Sequence, residues 1–90
     1  MEDNSAIALT KTAQRKLKEV TLDFGSQFAS YYRRPIDVLC AEIFKSIKQN
    51  DEHTLNRAEA DLQDILYELN REVRLQYDDN DFLDKFKKLF

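Results

Sequence analysis

Apolar positions recur at steps of three and four along almost the whole 90-residue chain. Ala13, Leu17, Val20, Phe24, Phe28 and Tyr31 fall on one face, which predicts a first helix over residues 5–32. Gly25 interrupts its interior, where glycine costs about 1 kcal/mol relative to alanine. Either the helix bends at "FGS" or another helix approaches too closely to admit a side chain. Ile36, Leu39, Cys40, Ile43, Phe44 and Ile47 form the clearest amphipathic stripe and predict a second helix over 35–49. It opens at Pro35, whose missing N–H would be unpaired in a first turn, with Asp37 near its start and Lys48 near its end complementing the dipole.

The polar stretch "KQNDEH" at 48–53 reads as a turn in which Asn50 or Asp51 caps the next helix and Glu52 favours its positive end. A third helix over 52–77 carries Leu55, Ala58, Leu62, Ile65, Leu66, Leu69 and Val73. "DDND" at 78–81 is expected to stop it and to cap a short fourth helix, 81–89, with Phe82, Phe86 and Leu89 on one face. Being short, that helix needs to dock in order to persist. The expected fold is all-α: a three-helix antiparallel bundle with a short fourth C-terminal helix, one domain over residues 1–90. Its core would come from Leu17, Val20, Phe24, Phe28, Ile36, Leu39, Ile43, Phe44, Ile47, Leu55, Leu62, Ile65, Leu66, Leu69 and Val73.

Composition agrees with helices: one Gly, one Pro and no Trp stand against 34% charged and 42% hydrophobic residues. A chain of this size builds one modest core and no deep substrate cavity. No apolar run reaches the length of a membrane span, and "MEDNSAIALTK" lacks the basic and apolar regions of a signal peptide. No membrane partner is expected, and the location expected is cytoplasmic or the plastid stroma. Cys40 is alone and lies on an apolar stripe, so it reads as a buried small hydrophobe.

The net charge of −3 is unevenly spread. Residues 1–34 hold six bases and four acids, whereas residues 51–81 hold ten acids and three bases. Such an acidic surface repels a phosphate backbone, so no nucleic acid is expected as a partner. "YYRR" at 31–34 reads as a helix end, not a stacking platform. His53 sits in the turn without converging partners. Glu59, Asp61, Asp64, Glu68 and Glu72 lie mostly opposite the third stripe, as a solvated face does. Inward Glu-x-x-His pairs, a phosphate loop, a serine elbow and paired cysteines are all missing from the sequence. No catalytic, cofactor-binding or metal residue is assigned, no cofactor is expected, and the chain is not read as an enzyme.

The helix "IDVLCAEIFKSIK", the turn "QNDEH" and the following "LNRAEADLQDILYELNREV" resemble the C-terminal helical lid region of DnaK-type 70-kDa heat-shock chaperones, especially those of cyanobacteria and plastids. The resemblance covers about two thirds of the chain. It implies a non-catalytic lid subdomain of an ATP-dependent chaperone, whose ATPase domain drives a peptide-binding β-sandwich and whose lid slows peptide release. The partners implied are the remainder of the chaperone and its client polypeptides. Residues 5–32 would then be the distal part of the long lid helix, and 35–77 the helices that fold back on it. The end "DDNDFLDKFKKLF" departs from the EEVD-type tail of eukaryotic cytosolic relatives, which argues against docking of their tetratricopeptide co-chaperones. From a different class, the alternative is a stand-alone helical protein–protein interaction or dimerisation module that self-associates, with its first stripe used between chains, or captures a partner helix. A third reading is an acidic mimic that occupies nucleic-acid binders, with salt-sensitive binding.

Overall fold

The computed structural model describes the backbone of residues 4–88 and the side chains of residues 4–77. Three helices account for nearly all of it: α1 (Asn4–Phe24), α2 (Ser26–Lys48) and α3 (Glu52–Lys88), with no strand among the described residues. Ser5 Oγ lies 3.2 Å from Glu59 Oε1 and the Tyr77 hydroxyl 3.4 Å from Asp23 Oδ2, so α1 and α3 run parallel. Arg57 meets Glu42 at 3.1 Å, which sets α2 antiparallel to α3. The order is therefore up, down, up, in an elongated body of 61 × 19 × 16 Å.

Between α1 and α2 the structure departs from the sequence reading. The expected boundary at Pro35 does not exist; the chain reverses at Gly25, and Pro35 lies inside α2. Gly25 has φ 95° and ψ 164°, a region open in practice to glycine alone. A Cβ built on it would meet nothing within 4 Å, so glycine is present for its backbone freedom and not for a close approach. The helical hydrogen bonds survive on either side, from Gly25 N–H to the Thr21 carbonyl (3.0 Å) and from Ala29 N–H to the Gly25 carbonyl (3.2 Å). Pro35 deprives the Tyr31 carbonyl of its helical donor, a cost of about 3 kcal/mol in a helix interior. Burial of Tyr32 and Ile36 on either side of it offsets that cost. With α2 starting at Ser26, Asp37 is not in its first turn, whereas Lys45 and Lys48 do occupy its last.

The second connection follows the sequence closely. Asn50 adopts φ 56°, Asn50 N–H bonds to the Ile47 carbonyl (3.2 Å) and Asp51 N–H to the Ser46 carbonyl (2.9 Å). That pair of bonds is a Schellman ending with asparagine in the left-handed position. Asp51 then caps α3: its carboxylate accepts from the Thr54 N–H at 3.2 Å and from the Thr54 hydroxyl at 2.7 Å. These bonds, the hydroxyl's foremost, hold the Asp51 carboxyl below its ordinary pKa.

The core is the line where the three stripes meet. Ile36, Ile43, Leu55, Leu62, Leu69 and Val20 are its largest fully enclosed side chains, each worth about 1.5–3 kcal/mol over exposure. Small residues let the helices approach: Ala6, Ala13, Ala29 and Ala58 are completely covered, and Thr10 is buried with its hydroxyl bonded to the Ile7 carbonyl at 2.7 Å. Phe24, Phe28, Leu39, Ile47 and Ile65 pack on the edge of this core, half-buried. Two expectations fail. Phe44 is 50% exposed, because Ile36, Cys40 and Ile43 set the inward line of α2 and Phe44 lies a step outside it. Tyr31, expected on the first stripe, is exposed, and Tyr32 is buried instead, since the turn at Gly25 restarts the register at Ala29, Tyr32 and Ile36.

A separate fourth helix at 81–89 is not present. The backbone of α3 continues through Lys88 without the stop expected at 78–81, and residues 89 and 90 lie outside the described residues. "DDND" contains weak helix formers but neither glycine nor proline, and each such residue costs at most about 0.7 kcal/mol.

Candidate functional site

The chemistry-bearing residues singled out in the sequence do not converge. His53 is exposed in the first turn of α3. Cys40 is 3% exposed, and burial raises its thiol pKa above the ordinary value, with Asp37 adding to the effect. A buried thiol held protonated is a packing residue. Among the described residues no three His, Cys, Asp or Glu side chains come together as a metal site. Nor is any helix of the described residues long and apolar enough to cross a membrane.

The acids of α3 divide by position. Near the Asp51 end they are engaged: Asp61 pairs with Arg57 at 3.2 Å, Arg57 reaches across to Glu42, and Glu59 accepts from Ser5. Toward the Gly25 end Glu68 and Glu72, one helical turn apart, make no ion pair among the described residues.

Those two glutamates face a groove of about 580 Å³ lined by Gln27, Phe28, Tyr31, Tyr32, Arg71 and themselves. Phe28, Tyr31 and Tyr32 contribute aromatic rings to its lining, and they belong to a wider aromatic cluster. Phe24 and Phe28 stand 5.3 Å apart, Phe28 and Tyr32 5.9 Å, and Tyr31 meets Tyr32 edge-on at 5.2 Å. Phe24 also meets Tyr77 of α3 edge-on at 5.5 Å, which ties the turn to the third helix. Tyr32 is only 6% exposed, and its hydroxyl makes no hydrogen bond to a described residue but stays in reach of solvent. Burial raises the pKa of this phenol, and Glu72 and Glu68 push it further in the same direction. The sequence reading missed this groove because it ran α1 straight through Gly25. The spacing Ala29, Tyr32, Ile36, Cys40, Ile43 carries the signal once the helix is begun at Ser26.

The structure is thus three helices packed on one aliphatic line, with a groove lined by aromatic and acidic residues at one end. Comparison with known proteins gives relatives of the chain. The chain is 64% identical over 89 residues to chaperone protein dnaK3 of Synechocystis sp., a match covering 97% of this chain and 12% of that protein. It is 46% identical over 86 residues to chaperone protein DnaK of Trichormus variabilis, with 92% and 12% covered. With chaperone protein dnaK3 of Synechococcus elongatus the identity is 34% over 90 residues. The chain is homologous to a C-terminal region of DnaK chaperones and spans about 12% of the length of these relatives. No family model matches the chain, and no solved structure does.

Proposed function

We propose that this bundle is a lid subdomain of an ATP-dependent DnaK-type chaperone, non-catalytic by itself, that helps retain unfolded client peptides. The observation carrying this reading is homology along nearly the whole chain to one short region of DnaK chaperones, joined to a bundle whose three stripes are spent on one another. A pre-formed body of this kind adds bulk and stiffness to a closing element without needing chemistry of its own. Its place of action on this reading is the cytoplasm or the plastid stroma, with the remainder of the chaperone and client polypeptides as partners. Deleting residues 4–77 from a DnaK-type chaperone that carries them should speed peptide release in the ADP state. Unchanged release would remove the lid role.

Self-association is the second reading, favoured by Leu22, Tyr31 and Tyr67, which are 78%, 79% and 72% exposed. Sedimentation over a concentration range separates the two. Mass rising with concentration favours assembly, and a constant monomer mass removes it.

A further inference from the structure

We propose that the groove between the start of α2 and the middle of α3 binds one cationic side chain, an arginine or lysine presented by a partner polypeptide. This goes beyond the lid reading and does not depend on it. Three independent features converge there. Glu68 and Glu72 are like charges at i, i+4 with no ion pair to relieve them, an arrangement that disfavours the helix until a cation arrives. Tyr32 is 6% exposed and lines the groove, and its hydroxyl makes no hydrogen bond to a described residue while staying in reach of solvent, so it can accept from an ammonium or guanidinium. Tyr31 is 79% exposed beyond its T-shaped contact with Tyr32, which leaves ring surface for cation–π contact.

Charge also fixes the number of cations. The lining holds two glutamates and one arginine, Arg71, so a single bound cation leaves it neutral and a second would not be compensated. Gln27 at the rim adds a neutral acceptor and donor. About 580 Å³ falls within the range of small-ligand sites and accommodates a guanidinium with its aliphatic stem lying along Phe28. An anion would meet both carboxylates and is disfavoured.

The test uses the 90-residue protein and two blocked tripeptides, acetyl-Gly-Arg-Gly-amide and its citrulline counterpart, which keeps the shape and removes the charge. Titration followed by amide NMR should give saturable shifts at Tyr31, Tyr32, Glu68 and Glu72 with the arginine peptide. The citrulline peptide should bind about tenfold more weakly, as should the arginine peptide to the Glu68→Gln, Glu72→Gln double variant. Tyr32→Phe, which keeps the ring and the fold, should weaken binding by a smaller factor. Inorganic phosphate, the anionic probe, should leave these signals in place. Equal binding of the two peptides, shifts centred elsewhere, absence of saturation, or phosphate shifts at Glu68 and Glu72 would each overturn the proposal.

Discussion

The two ends of the bundle join their helices by opposite means. At the Lys48–Glu52 end, a Schellman ending on Asn50 and an Asp51 cap satisfy the backbone, Lys45, Lys48 and Glu52 complement both dipoles, and Arg57 links two acids. At the Gly25 end no side chain caps α2, no base lies in the last turn of α1, and no acid lies in the first turn of α2. Aromatic contacts of Phe24, tilted on Phe28 and edge-on to Tyr77, hold that end together. One end is closed by local hydrogen bonds, the other by packing that leaves a groove. A surface for a partner belongs at the second, where side chains still have unmet charge and hydrogen-bonding capacity.

The largest effect should come from the core beside the capped turn. Leu55, 1% exposed, should cost about 2–5 kcal/mol as Leu55→Ala, read as a lower urea midpoint at constant slope. Phe28→Ala at the open end should cost less, because Phe28 is only half-buried. Equal losses would break the contrast between the ends. Gly25→Ala should cost about 1–3 kcal/mol through backbone strain alone, since no neighbour obstructs the methyl group. Asn50→Gly, by contrast, should cause no loss, because glycine suits its left-handed φ of 56°.

Asp51→Ala should destabilise by less than Leu55→Ala or Gly25→Ala, and the loss should depend on pH. The folded-state pKa of Asp51 lies below that of the unfolded chain, so its contribution is full above the ordinary carboxylate pKa and disappears as pH falls through the lowered one. Wild type and variant should therefore converge in acid, as a thermal melt series would reveal. The smallest loss, among the variants expected to lose stability, belongs to Arg57→Ala. Its side chain is 52% exposed, and pairs of this exposure contribute about 0.2–1 kcal/mol, shrinking further with salt.

Most of the architecture was legible because helical stripes report burial directly. Leu55, Leu62, Leu66, Leu69 and Val73 follow their spacing into the core, and Asp51 follows its capping chemistry. The error lay in weighing two helix breakers. Pro35 looked like a boundary and Gly25 like a kink, yet a proline between two buried residues can be carried by packing, whereas one glycine with positive φ can reverse the chain. Every misplaced residue in that region follows from this choice, including Tyr31 for Tyr32 and Asp37 at a helix start. The groove was illegible for the same reason, because it exists only where α2 begins at Ser26 and its first turns lie against Glu68 and Glu72. The continuation of α3 through "DDND" was missed because a polar run was read as a stop, although nothing in it forbids helix.

Peptide release from a whole DnaK-type chaperone carrying this segment is the most direct test of the lid. Dissociation of a labelled peptide in the ADP state would be compared for wild type, Arg57→Ala, Gly25→Ala and Leu55→Ala. A lid that works as a pre-formed body predicts release that quickens in that order, as bundle stability falls. Identical release from all four, with Leu55→Ala shown to have lost its helical unfolding transition, would contradict it.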